Sequence, residues 1–247
     1  MTSPTQIADG VHLATGTDVN WLLLQDGDAL TVIDTGYPGD ADRLDASVRA
    51  LGREPGDVAA VLVTHAHVDH VGSIERWWRD HGVPVLVHEE ELANVRGERH
   101  ESATPLDVAR RAWRPRTALW AARITRAGGT AHVTAPHART WTGDGPLDLP
   151  GRPVPVHTPG HTSGHTAFLL ADAGVLVTGD AIVTAHATTS RRGPQQLPGF
   201  FAADPTLAAR SLERFRDLDA DTIAPGHGPV WQGCPTDAVD HALAPRR

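Results

Sequence analysis

Apolar positions along this chain come in short runs, cut by glycine, proline and acidic residues. Residues 21–24 and 29–33 read as two strands, and the Asp26-Gly27 pair between them is a strong hairpin-turn signal. The second run stops at Asp34-Thr35-Gly36. Across 40–51, Leu44, Val48 and Leu51 recur four and three residues apart, the spacing of one helix face, and Gly52 ends it. Residues 58–63 are continuously apolar, which predicts a buried strand; a helix over 71–80 and a short strand over 83–87 follow.

Between Glu89 and Trp141 the pattern changes. Leu106, Ala109 and Trp113 are spaced as one helix face and Trp120, Ile124 and Ala127 as another, with Pro115 between them and Gly128-Gly129 at the end. This stretch carries nine arginines in an otherwise acidic protein, and it reads as a helical insertion, about 89–141, lying over a sheet. Strand patterns return at 154–157, 166–170 and 175–178. An irregular Gly/Pro-rich loop covers about 184–204, a helix about 205–218, and a last strand, 222–224, leads into Pro225-Gly226-His227-Gly228. No repeat of about 20–50 residues is present. Alternation of strands and helices predicts one α/β domain over 1–247 with two insertions.

Composition narrows this further. Hydrophobic residues make up 40% and charged residues 21%, the balance of a globular chain. No apolar run approaches the roughly 20 residues of a membrane helix. Residues 1–10 lack the basic start and apolar core of a secretory signal. The single cysteine, Cys234, forbids an internal disulfide and fits a reducing, cytoplasmic setting. All 22 basic residues are arginine, which we read as genome composition, and the net charge of −8 argues against nucleic acid as a partner. Fifteen histidines are in excess for this length. Histidine is the commonest metal ligand, so their placement matters most.

Three of them stand in Thr64-His65-Ala66-His67-Val68-Asp69-His70, directly after the buried strand. At this chain's own His and Asp frequencies, H-x-H-x-D-H arises by chance on the order of once in two hundred such chains. His65 and His67, two apart in extended backbone, point the same way and can grip one ion. Asp69 and His70 come from the following turn and can reach a second. Three further strand-end loops supply candidate ligands: Thr158-Pro159-Gly160-His161, Thr178-Gly179-Asp180 and Pro225-Gly226-His227-Gly228. Five imidazoles and two carboxylates with no thiolate suit zinc, manganese or iron in an open site, not a structural zinc finger.

With these motifs in order, the chain resembles the metallo-β-lactamase-fold hydrolases, from Asp34-Thr35-Gly36 to His227. The resemblance implies an αββα sandwich with a two-metal site at one edge. It implies His65, His67 and His161 on the first metal, Asp69, His70 and His227 on the second, and Asp180 bridging. Asp34 matches a carboxylate that orients a ligand. Two divalent ions are implied, zinc foremost with manganese or iron as alternatives. They would bring the pKa of a bridging water to about 7, so that a hydroxide attacks, with Asp69 orienting it and moving its proton.

Departures from subfamilies narrow the substrate. True β-lactamases of this fold carry Cys or a non-ligand residue at the Asp180 position. Thr-Pro-Gly-His-Thr-Ser-Gly-His is similar to glyoxalase II, which needs a helical C-terminal domain, whereas 20 residues follow His227 here. Residues 200–228 resemble acyl-homoserine lactonases, but their usual Tyr is Val183 here. The RNA-gripping arm of the fold's tRNA-processing ribonucleases is not found. The expectation is therefore a binuclear hydrolase of a small-molecule ester, thioester or lactone. Alternatives are a phosphodiesterase, a mononuclear-iron persulfide dioxygenase-like enzyme, and a metal-stabilised binding protein. Tyr37, Arg191, Phe200 and Phe201 are the candidate substrate contacts, and Arg110, Arg111 and Arg114 are candidates for an anionic substrate tail. His165 reads as structural, His88, His157 and His186 as packing or surface residues with His186 the one to test near the substrate, Trp77-Trp78 as core or packing residues, and Cys234 as inert. The protein is expected to be a monomer or homodimer.

Overall fold

A computed structural model describes residues 3–245 of the chain. Strands β1 (Thr5–Ala8), β2 (Val11–Thr15), β3 (Asn20–Asp26), β4 (Ala29–Ile33), β5 (Val58–Leu62), β6 (Val85–Val87) and β7 (Arg139–Thr140) lie side by side in chain order. β1 to β4 pair antiparallel and β4 to β7 parallel. β8 (Val154–His157), β9 (Thr166–Leu170), β10 (Val175–Gly179), β11 (Thr222–Pro225) and β12 (Trp231–Gln232) form a second sheet, with only β10–β11 parallel. Parallel neighbours need crossovers, and helices supply them. α1 (Ala41–Ala50) joins β4 to β5, and α2 (Val68–Val71) with α3 (Ile74–His81) joins β5 to β6. α4 (Leu92–Val95), α5 (Pro105–Ala109) and α6 (Pro115–Arg126) precede β7; α7 (Pro205–Ser211) precedes β11, and α8 (Pro235–Leu243) follows β12.

The period-two rule of strands builds the layers. Leu22 and Leu24 of β3, with Ile33 and Leu62, pack against Phe168, Leu170, Val175 and Val177 of the second sheet. Leu23, one residue out of step, turns the other way and joins Leu44, Val48, Ile74 and Trp77 of the helices. On the far side, Leu176 and Ile223 pack on Phe215, Ala238 and Val239. Helix, sheet, sheet, helix is the αββα order expected.

Several local expectations are corrected. The hairpin closes on the Asp26–Ala29 pair, so Gly27-Asp28 forms its loop. The helix expected over 71–80 begins earlier and breaks at Gly72, where a Cβ would sit 2.2 Å from the Tyr37 carbonyl carbon. The helix expected over 205–218 gives way to a tighter turn at Leu212–Phe215. Leu106 and Trp113 do not share a buried helix face, being 57% and 75% exposed. Trp77 is core, donating its indole N–H to Asp45, but Trp78 is 40% exposed and stacks on His137. Strands β1, β2, β7 and β12 and helix α8 lie outside what the apolar pattern predicts.

Candidate metal centre

Strand ends converge at one edge of the sandwich and bring seven side chains together. His65, His67, His161 and Asp180 form one group of potential ligands and Asp69, His70 and His227 another; within each group the ligand atoms lie within 4.8 Å of one another. Asp180 spans both. Its Oδ2 lies 3.4 Å from His161 Nε2 and 3.9 Å from His65 Nε2, while Oδ1 lies 3.4 Å from His70 Nε2 and 3.3 Å from His227 Nε2. Asp69 Oδ2 stands 3.5 Å from His227 Nε2 and 3.9 Å from His70 Nε2.

Four of the imidazoles are oriented from behind. Asp34 Oδ2 accepts from His70 Nδ1 at 2.7 Å and from the Thr64 hydroxyl at 2.7 Å, and Oδ1 accepts from the Thr64 N–H. With its proton committed to Asp34, the Thr64 hydroxyl accepts from His65 Nδ1 at 3.0 Å. His67 Nε2 donates to the Glu101 carbonyl at 2.8 Å, and His227 Nδ1 to the Asp18 carbonyl at 2.5 Å. Each bond fixes the tautomer and leaves the other nitrogen's lone pair facing the cluster, as metal-ligating histidines require. Asp34 adopts φ 64°, a left-handed conformation that Asp tolerates better than most residues, and it holds the first sheet's end to both groups.

Burial and charge divide the two groups. Burial pushes the His65 and His161 imidazoles well below their usual range and lowers His67, so the first group is largely neutral nitrogen. Burial would lower His70 and His227 too, but the carboxylates around them, Asp34 and Asp180 foremost, reverse it and raise both. Burial opposes ionisation of Asp180, yet His227 and His70 outweigh it and hold the carboxyl well below the usual range. Among the described residues, His65 Nε2, His70 Nε2 and Asp180 Oδ1 are buried without a hydrogen-bond partner. Orphaned polar atoms are costly in a protein interior. Three of them converging with other lone pairs fit cations of nitrogen- and oxygen-binding type.

Two acids not singled out by the sequence hold the site to the helical segment. Glu91, fully buried, accepts from Ala66 N–H, Thr162 Oγ1 and Gly164 N–H at 2.8–2.9 Å, joining the His65–His67 and His161 loops. Burial raises its carboxyl to about 6 against the pull of those donors. Glu101 accepts from the Ser163 N–H and Asn94 Nδ2. Both lie in an acidic stretch whose burial no local pattern reveals. Opposite them, Asn20 of β3 donates to the Pro225 and Gly228 carbonyls and so fastens the His227 loop. His165 is buried: its Nδ1 bonds Thr158 Oγ1, its Nε2 accepts from the Asp180 N–H, and burial lowers it to about 3.

A cavity of about 600 Å³ opens over the cluster. Tyr37 and Phe201 line it; Arg191 and Phe200 do not, and line a neighbouring chamber instead. Tyr37 donates its hydroxyl toward Asp69 Oδ2 at 3.5 Å, and burial, then the Asp69 charge, raises its phenol. His186 lines the cavity, its ring 5.1 Å from that of His227, and burial lowers it to about 4. His88 and His157 stack on each other at 3.9 Å, away from the cluster, and Cys234 is exposed. Among the described residues no helix is long and apolar enough to cross a membrane.

Comparison with known proteins agrees with this geometry. The chain is 26% identical over 238 residues to the Bacillus subtilis (strain 168) protein named "Probable metallo-hydrolase YflN", covering 90% of this chain and 85% of that one. A shorter match, 44% over 48 residues, links 19% of this chain to 18% of a hydroxyacylglutathione hydrolase from Alkalilimnicola ehrlichii. The crystal structure of the metallo-beta-lactamase family protein TTHA1429 from Thermus thermophilus superposes with a TM-score of 0.68 at 26% identity, covering 96% of this chain and 79% of that one. The sequence model of the metallo-beta-lactamase superfamily matches residues 14–227, which include every member of the His/Asp cluster. The chain belongs to the metallo-beta-lactamase superfamily and is a metallo-hydrolase of that family.

Proposed function

We propose that the protein is a binuclear metallohydrolase of a small-molecule ester, thioester or lactone. The observation that carries the binuclear part is Asp180, which turns one oxygen to His65 and His161 and the other to His70 and His227. That is the disposition of a carboxylate shared by two ions. His65, His67 and His161 would hold one and Asp69, His70 and His227 the other. Such a pair supplies a water of lowered pKa, about 7, and a Lewis acid for the scissile carbonyl.

The chain's own residues do the rest. Asp69 stands at the cavity floor within reach of His227 and Tyr37, where it can orient a water and take its proton. Tyr37 donates to Asp69 and restricts where its free oxygen points. Val68, Ala109, Trp120, Ile124, Leu197 and Phe201 give the cavity an apolar lining suited to an acyl group. Arg111, Arg114 and Arg116 line the neighbouring chamber and not this cavity, and Arg99, which does line the cavity, is paired with Glu101 at 3.5 Å, which favours an acyl over a phosphoryl group at the metals. The short match to a protein named hydroxyacylglutathione hydrolase, over 19% of this chain, is in line with an acyl substrate.

The test is a metal count on the purified protein with a panel of lactone, thioester, phosphodiester and β-lactam substrates. We expect about two transition-metal ions per chain and turnover of a lactone or thioester. One iron per chain without hydrolysis overturns the binuclear reading, and turnover of phosphodiesters alone overturns the acyl one.

A further inference from the structure

Beside the metal-facing cavity lies a second chamber of about 750 Å³ with a different chemistry. Four arginines line it, Arg111, Arg114, Arg116 and Arg191, and among the described residues no Asp or Glu does, although the chain as a whole carries a net charge of −8. Arg111 lies over the Phe200 ring at 4.1 Å, donates to the Asp107 main-chain carbonyl at 2.7 Å, and stands 4.0 Å from the Asp107 carboxylate. Arg191 donates to main-chain carbonyls of Ala244 and His241, which fixes its position without neutralising it. Among the described residues neither Arg114 nor Arg116 has a carboxylate partner.

Neutral donors complete the lining. Thr117, only 3% exposed, faces the chamber. Thr188, Thr189 and Ser190 add hydroxyls from a loop that the buried Gln195 holds by bonds to Arg191 and Gly193 carbonyls and from Thr189. Arginine forks and hydroxyls around an acid-free space are the groups that recognise phosphate.

The chamber and the cavity share walls. On α6, Thr117 faces the chamber while Trp120 and Ala121 face the cavity. Phe200 faces the chamber and Phe201 the cavity, with their rings 4.0 Å apart. Phe201 in turn lies 5.2 Å from His186, which stands beside His227. We propose that the chamber binds the phosphorylated part of a substrate whose acyl part enters the metal-facing cavity, so that the enzyme cleaves an acyl group from a phosphorylated carrier. The acyl half of this statement rests on the hydrolase reading above; the anion half does not. Cleavage joins a water oxygen to the acyl carbon and releases the carrier with the remaining proton.

The test compares two thioesters with the same hexanoyl group, one on coenzyme A and one on uncharged N-acetylcysteamine, in the wild type, Arg114→Ala/Arg116→Ala and Thr117→Val. Calorimetric titration with adenosine 3′,5′-bisphosphate reads binding without turnover, and metal content controls for folding. The double variant is expected to raise KM for the coenzyme A thioester about tenfold or more beyond any change with N-acetylcysteamine, and to weaken bisphosphate binding similarly. Thr117→Val is expected to act in the same direction, about threefold. Turnover of both thioesters with no selective effect of the arginines overturns the chamber and leaves the hydrolase reading standing. Arginine-dependent bisphosphate binding with neither thioester cleaved supports the anion site and overturns cleavage of an acyl group from a phosphorylated carrier. Equal bisphosphate binding by wild type and double variant overturns the anion site.

Discussion

The floor and the cover of the metal-facing cavity are built on opposite principles. On the floor, four of the five histidines have their remote ring nitrogen tied to Thr64, Glu101, Asp34 or Asp18, and the loops that carry them are tied to Glu91 and Asn20. The cover, α5 with α6, leaves Leu106, Trp113 and Leu119 exposed, and the Thr104–Asp107 capping box on α5 is purely local. A site that must hold cations needs its donors fixed before the ions arrive, whereas a wall that selects substrates can vary at little cost to the core. The proposed function puts chemistry on the floor and selectivity on the cover.

The strongest way to break that division is to remove the residue common to both ligand groups. Asp180→Ala is expected to lower kcat/KM by on the order of 10³-fold, the loss of several kcal/mol of Lewis-acid stabilisation. Elemental analysis is expected to show no more than one ion per chain. Wild-type metal content in this variant would remove Asp180 from the centre. Stability offers the next largest contrast. Phe168, fully buried between the sheets, is expected to cost about 3–5 kcal/mol when cut to Ala, read as a lower denaturation midpoint. A loss under about 1 kcal/mol would show that the sandwich interior is not what supports the floor.

Much of the floor could be read from the sequence because its information is local. His65, His67, Asp69 and His70 fall within six consecutive residues after an apolar strand, and His161, Asp180 and His227 each follow a Gly-containing strand end. The bonds that orient them could not be read. Glu91 sits in Glu89-Glu90-Glu91, where only the third is buried, and nothing in a run of three identical acids says which one turns inward. Edges of the fold were hidden for another reason. β1 has an exposed and half-exposed pattern and β12 is two residues long, so neither has an apolar face to betray it. In the cover the helix period misled: Leu106, Ala109 and Trp113 have the right spacing, yet α5 ends at Ala109 and the chain turns before Trp113.

Glu91 also gives the floor a pH signature. Its carboxyl titrates at 4.5 when exposed to water and at about 6 when buried. Between those values the folded state keeps a proton that the unfolded state has released. The stabilisation is therefore complete below pH 4.5 and is lost as pH rises through about 6. Its size is about 2 kcal/mol. Urea denaturation of wild type and Glu91→Gln across this window should show the wild type losing that much relative to the variant. Parallel curves would show that the carboxyl titrates alike in both states.

The smallest expected effect concerns the cover, and it decides whether that surface faces solvent. Trp113 is 75% exposed, with the Arg114 guanidinium 5.0 Å from its ring centre. Leu119, on α6, is 64% exposed. A side chain that buries little apolar area contributes little, so Trp113→Ser and Leu119→Ser are each expected to change stability by no more than about 0.5 kcal/mol. The two substitutions should also add independently if neither residue has a partner. A loss above about 1 kcal/mol that grows with protein concentration would mean that a second copy covers these residues, since only association makes stability depend on concentration. In that case the cover would be an interface, and its exposed apolar residues would be held as tightly as the ligands beneath them.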